Sequence, residues 1–319
     1  MNHKIRFAFF SLALFQVAAA QTPSAPTAAN QVKFSHESID IANKETLSAF
    51  VKKLKITSLQ KPVDLAASYG IFDWAGPTEC KELVNVPHAY FCLSARRKDQ
   101  NAIFARASIF SEGNKYCPTT GQVVPKDHPA NILYYYLAGG HDIRGSVLTE
   151  FFGLAETEDA YAKDDADQTA TNCELNADET AFKENVLDQI VARETDKTGA
   201  TNVFAVITAP AEFPEASLLK VVSHETLHAQ FYLNKGIQTA SQKYWEEILT
   251  EGERATVKKL LGQNYNVEDF FVLLKEFVSY TLEYGAVEGG TLKDIAATHK
   301  QPLIDAIKAS TGIDVYQLK

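Results

Sequence analysis

Apolar positions along the chain fall into a few periodic patterns, and each predicts an element. Phe182, Val186, Ile190 and Val191 recur at helical spacing, so residues 180–193 read as an amphipathic helix. Asn202 to Thr208 is a short run rich in β-branched and aromatic residues, the mark of a buried strand. A helix follows, and Leu218, Leu219, Val222 and Leu227 make it too apolar to lie open in solvent. Two more helices are expected over residues 241–261 and 268–284. The second has Phe270, Leu274, Phe277, Val278 and Thr281 on one face and Val272, Leu273, Glu276 and Tyr280 on the other. A helix that is apolar on both sides is buried on both. Nearer the start, residues 36–56 read as a helix, and the runs His88–Leu93 and Ala102–Phe110 read as strands. No internal repeat is visible. The pattern predicts an α+β protein with a mostly helical C-terminal half and a smaller N-terminal α+β lobe.

The first residues change that picture only at the margin. Lys4 and Arg6 precede an apolar run from Phe7 to Val17, then Ala18-Ala19-Ala20. A basic segment, a short apolar segment and an A-x-A site predict a secretory signal peptide over residues 1–20, cleaved after Ala20. The run is too short to span a bilayer comfortably, and no later stretch is long and apolar enough for a membrane span. Residues 21–32, rich in Pro, Ala, Thr and Gln, read as a flexible leader. Residues 33–125 are expected to form the N-terminal lobe and 126–319 the second domain. The product is expected in the periplasm or secreted.

The four cysteines, Cys80, Cys92, Cys117 and Cys173, fit that compartment. An even number in an exported chain suggests two disulfides with three possible pairings, and no C-x-x-C pair offers a four-cysteine metal site. A net charge of −9 argues against nucleic acid and anionic membranes as partners. The acidic stretch from Glu156 to Glu179 lacks the glycine and terminal glutamate of an EF-hand loop and reads as a charged exposed loop, with calcium binding as a minor alternative.

The chemistry concentrates in Val221-Val222-Ser223-His224-Glu225-Thr226-Leu227-His228, which reads H-E-x-x-H. Two histidines four residues apart on a helix point to one side and can reach one small cation. Glu225 lies about 100° further round the helix from His224. There its carboxylate meets a water beside the cation rather than the cation itself, the position of a general base. Thr226 and Leu227 are uncharged and Val221, Val222 and Ala229 are apolar, as the wider motif requires; Gln230 departs from it. This stretch, with the apolar strand before it, resembles the zincin metallopeptidases. The resemblance covers roughly the last third of the chain. It implies a zincin-like catalytic domain, a Zn²⁺ cofactor, a peptide or protein substrate held along a sheet edge, and Glu225 as the base.

The third ligand remains open at this level. The H-E-x-x-H-x-x-G-x-x-H pattern is absent, because Phe231 and Lys235 stand where Gly and His are needed. A downstream glutamate would resemble the gluzincin branch. Glu246 and Glu247 are candidates; Glu247 has the spacing of the thermolysin-related aminopeptidases but shares a stripe with Arg254 and Lys258. Glu251, in Leu249-Thr-Glu-Gly252, resembles the L-x-E-G that carries the ligand in several such peptidases. Glu276, in Glu276-Phe-Val-Ser-Tyr280, resembles the E-x-x-A-D/Y segment of other glutamate zincins. Glu276 is favoured because a carboxylate on a doubly buried helix needs a cation or a proton, and Glu251 is the alternative. His141, beside Gly139-Gly140, is a further candidate ligand or donor, and Tyr244, Tyr280 and Tyr284 are candidate donors to a substrate carbonyl. The opposing expectation is a non-catalytic zincin-fold binding protein of the cell envelope; the presence of Glu225 favours the hydrolase.

Overall fold

The computed structural model describes residues 32–59, 77–112, 123–124, 138–155 and 174–315. The expected signal peptide, most of the leader, Cys117, Cys173 and most of the acidic stretch lie outside these residues. The chain is an α+β fold built on one five-stranded mixed sheet. Its strands are β1 (Val32–Ile39), β2 (Thr78–Leu83), β3 (Ala89–Ser94), β4 (His141–Arg144) and β5 (Ala205–Pro210), in the order β1-β2-β3-β5-β4. β1 runs parallel to β2 and β3 parallel to β5, while β2–β3 and β5–β4 are antiparallel. The sheet therefore takes strands from both sides of the boundary expected near residue 125.

Alternation along the strands sorts side chains to two faces. Tyr90, Cys92 and Val206 point into one core, with α2 (Arg97–Glu112), α3 (Gly145–Ala155) and the helical stretch α4 (Ala177–Phe182) to α5 (Asp188–Glu194). A π-helical turn, Lys183–Leu187, joins α4 to α5, so the helix expected over 180–193 is continuous but locally widened. Phe91, Leu93, Ile207 and Ala209 point the other way, onto α1 (Lys44–Leu59) and α6 (Glu215–Leu233). α6 also forms one wall of a third core. Its Leu227 and Phe231 pack there with α7 (Lys235–Glu247), α8 (Glu251–Leu261), α9 (Phe270–Leu282) and α11 (Lys293–Thr311); α10 (Ala286–Gly289) is a single turn before the last of these.

Cys80 and Cys92 face each other directly across β2 and β3 and form a disulfide, with Cα atoms 4.0 Å apart. This is one of the expected bridges, inside the N-terminal lobe. Among the described residues no helix is long and apolar enough to cross a membrane.

Three expected elements differ. Residues 36–39 belong to β1, and the helix begins only at Lys44. Asp40 accepts from the Ala42 amide at 3.0 Å and Asn43 from the Glu45 and Thr46 amides at 2.9 and 3.2 Å, so side chains satisfy the backbone and turn the chain before the helix starts. Ala102–Phe110 lies within helix α2, where Ile103, Phe104, Ala107 and Phe110 share a buried face at helical spacing. The helix expected over 241–261 is two helices. Thr250 and Glu253 form a reciprocal capping box at the start of α8, with Glu253 accepting from the Thr250 amide at 2.8 Å. Arg254 donates to the carbonyls of Trp245 and Leu249 at 3.2 and 2.6 Å, satisfying the end of α7.

Candidate metal centre

α6 carries its chemistry between two cores. Leu218, Leu219, Val222 and Ala229 lie on the sheet side and Leu227 and Phe231 on the helical side, so His224, Glu225 and His228 are held on a helix packed along both flanks. α9 crosses it and presents Glu276. Asp269 starts α9 by accepting from the Phe271 and Val272 amides at 2.9 and 3.3 Å.

Both histidines turn Nε2 towards the Glu276 carboxylate. His224 Nε2 is 3.4 Å from Oε2 and His228 Nε2 is 3.4 Å from Oε1. Their other nitrogens are tied back. His224 Nδ1 lies 2.8 Å from Glu283 Oε2, and His228 Nδ1 lies 2.8 Å from Ser279 Oγ. With Nδ1–H donating to these oxygens, the Nε2 lone pairs are left to converge. Glu283 in turn pairs with Lys220 at 3.1 Å, and its backbone carbonyl accepts from Lys300 at 2.9 Å. His224, His228 and Glu276 thus form a buried group that can hold a metal ion. Glu276 is 1% and His228 2% exposed, and the two rings meet edge to face with centroids 4.5 Å apart.

Burial opposes charge here, and the neighbours decide each outcome. Burial alone would depress His224, but the Glu276 and Glu283 carboxylates beside it outweigh this and hold the ring well above its ordinary value. For Glu276 burial would raise the carboxyl; His228, Lys275 and His224 overcome it and hold the group well below the usual range. Glu225 goes the other way: burial pushes it well above the carboxylate range, and the Asp142 charge adds to this.

Glu225 is 7% exposed and its Oε2 is buried without a hydrogen-bond partner. Gly140 lies against it. A Cβ at Gly140 would collide with the Glu225 carboxylate, reaching within 2.8 Å of its Cγ and Cδ, so only glycine admits this approach. The segment Gly139–Gly140 leads directly into β4, which places the sheet's edge strand beside the base. Asp142 of β4 completes a second grouping with Glu225 and His228. That grouping already has a cation from the protein itself: Lys275 Nζ is 2.8 Å from Asp142 Oδ2.

Of the other expected residues, Glu251 is exposed in the first turn of α8 and belongs to neither grouping; the capping box at Thr250 turns it out to solvent. Glu247 is exposed and pairs with Lys243 at 3.9 Å. His141 is buried, but its Nδ1 lies 2.7 Å from Ser108 Oγ and its Nε2 2.6 Å from Asn101 Oδ1, so neither nitrogen is free for a ligand. Tyr244 bonds His299 Nδ1 at 2.9 Å inside the third core. Tyr284 lies under Lys44. Tyr280 packs its ring against His224, with centroids 4.5 Å apart, and its hydroxyl lies 3.0 Å from that of Tyr265.

Asp142 and Glu283 are not expected from the sequence; Lys275 is, as a neighbour to which Glu276 can be tied, and its Nζ lies 3.3 Å from Glu276 Oε1. Glu283 stands two helical turns beyond Glu276, a spacing that places both on one side of the helix. Asp142 gives no local sign, since it reaches the site only through the pairing of β4 with β5. No family model, curated protein or solved structure matches this chain.

Proposed function

We propose that the chain is an exported zinc-dependent metallopeptidase of the zincin type, with His224, His228 and Glu276 as ligands and Glu225 as general base. The spacing of the three donors carries this reading. Two ligand atoms each about 2.0–2.1 Å from a tetrahedral zinc ion are about 3.3 Å from one another. His224 Nε2 stands 3.4 Å from Glu276 Oε2 and His228 Nε2 3.4 Å from Oε1, and one donor atom from each of the three residues lies within 4.8 Å of the other two. The donor set also suits zinc, and Glu276 Oε2 is buried without a hydrogen-bond partner. Zinc held there supplies Lewis-acid polarisation of a carbonyl and a water of lowered pKa.

The remaining work belongs to the chain. Glu283 and Ser279 hold the two imidazoles in the tautomer that offers Nε2. Glu225 takes a proton from the attacking water and returns it to the leaving amine; burial, which raises its affinity for a proton, suits that exchange. β4, the end strand of the sheet among the described residues, lies beside Glu225 and offers its backbone to an extended peptide. The disulfide fits an oxidising compartment and so the proposed export.

One observation favours a second reading, a metal-binding protein without catalysis: every donor is nearly closed off, with His224 the most open at 9% exposure. Metal content and peptide-library cleavage separate the two. Wild type and Glu251→Ala should hold near-stoichiometric zinc, and Glu276→Ala should hold none. Glu225→Ala should keep zinc and lose cleavage. Zinc without cleavage in wild type leaves the binding protein, and no zinc after incubation with excess metal at neutral pH ends both readings.

A further inference from the structure

Lys275 is a buried ammonium with no part in the mechanism above. It is 1% exposed and sits next to Glu276 on α9. An ammonium this deep is stable only when anions and hydrogen bonds replace its water. Three acceptors surround its three N–H bonds: Asp142 Oδ2 at 2.8 Å, the Tyr232 hydroxyl at 3.1 Å and Glu276 Oε1 at 3.3 Å. The Tyr232 hydroxyl itself donates to Asp142 Oδ2 at 2.6 Å. Lys275 therefore joins α9 to the edge strand β4 and to the far end of α6.

The two oxygens of Glu276 are unlike as a result. Oε1 faces an ammonium as well as His228, while Oε2 faces His224 and is buried without a hydrogen-bond partner. A free carboxylate can take a cation through one oxygen or through both. One whose first oxygen already faces an ammonium gives a second cation more readily through the other, where no positive charge stands in the way. Charge balance supports the same arrangement: Asp142 offsets Lys275, which leaves the Glu276 charge for the ion.

We propose that Lys275 is a positioning residue that fastens Oε1 of Glu276, so that this ligand offers a metal ion the single oxygen Oε2. A metal ion held by the two histidines and Oε2 alone would keep room for water, which a carboxylate bound through both oxygens would crowd. Asp142 and Tyr232 act one step further out, by holding the ammonium in place. This inference rests on the metal-site reading of His224, His228 and Glu276.

Cobalt(II) tests it, because its visible bands are intense in a four-coordinate site and weaken when a fifth donor binds. The full mature chain, Asp142→Asn, and the double variant Asp142→Asn/Lys275→Met would each be loaded with cobalt. The double variant removes a cation and an anion together, so no buried charge is left alone. Wild type should show strong bands; the double variant should lose about half their intensity or more as Glu276 binds through both oxygens, and Asp142→Asn, whose amide oxygen can still accept from Lys275, should lose less. Equal bands in all three proteins would overturn the proposal, and so would an equal loss in Asp142→Asn and the double variant. Failure of wild type to bind cobalt at all would overturn the metal-site reading together with this one.

Discussion

Among the buried histidines, His141 and the His224–His228 pair lie on opposite sides of strand β5 and have been put to different ends. His141, on the edge strand, gives both ring nitrogens to neutral partners, Ser108 and Asn101. His224 and His228 each tie one nitrogen back and turn the other onto a shared carboxylate. Burial is common to all three. What separates a packed histidine from a ligand is the group its second nitrogen faces. The contrast is also electrostatic. Burial drives His141 down to about 3, so it stays neutral, whereas carboxylates hold His224 well above its ordinary value.

The contrast can be broken most forcefully at the base between the two sets. Gly140→Ala pushes a methyl group into the Glu225 carboxylate. Peptide cleavage is expected to fall about 100-fold, the cost of a misplaced catalytic group, with zinc content unchanged. Steady-state kinetics beside metal analysis would read both, and unaltered cleavage would remove Glu225 from the reaction. A smaller effect is expected from the tie behind His224. Glu283→Gln keeps the shape but not the charge, and zinc affinity should fall on the order of tenfold in a competition titration with a chelator. No change would make Glu283 a packing residue like Asn101.

The pH dependence of stability sharpens the other side of the comparison. His141 has a folded-state pKa of about 3, below its ordinary 6.5. Between these values the unfolded chain binds a proton that the folded chain refuses. Stability is therefore full above about 6.5 and declines as pH falls towards 3, by about 1.4 kcal/mol per pH unit for one such group. Denaturant unfolding at several pH values should show a shallower decline in His141→Asn than in wild type. Identical slopes would mean that His141 accepts its proton in the fold.

Legibility in the sequence followed the range of the interaction. The H-E-x-x-H spacing is a property of a single helix turn, so His224, Glu225 and His228 were visible at once. Glu276 was favoured from its place on a helix apolar on both sides, while Glu251 drew its support from the apolar residues expected beside it on one long helix. A helix run through residues 241–261 kept Glu251 in contention, although the Thr250–Glu253 pair carried the stop signal in plain view. Ala102–Phe110 misled because its aromatic and β-branched residues mimic a strand while their spacing also fits a helix face. Asp142 and Lys275 meet across 133 residues of chain, and only the pairing of β4 with β5 brings them together.

Helix α6 leaves little latitude for redesign. Of its 19 residues, 13 are buried, and they face a sheet on one flank and a helical bundle on the other. Any attempt to adjust the histidines from their own helix therefore disturbs a packed wall. α9 is walled in to the same degree, so the practicable changes are single-atom exchanges in the groups that face the donors, Ser279, Glu283 and Asp142.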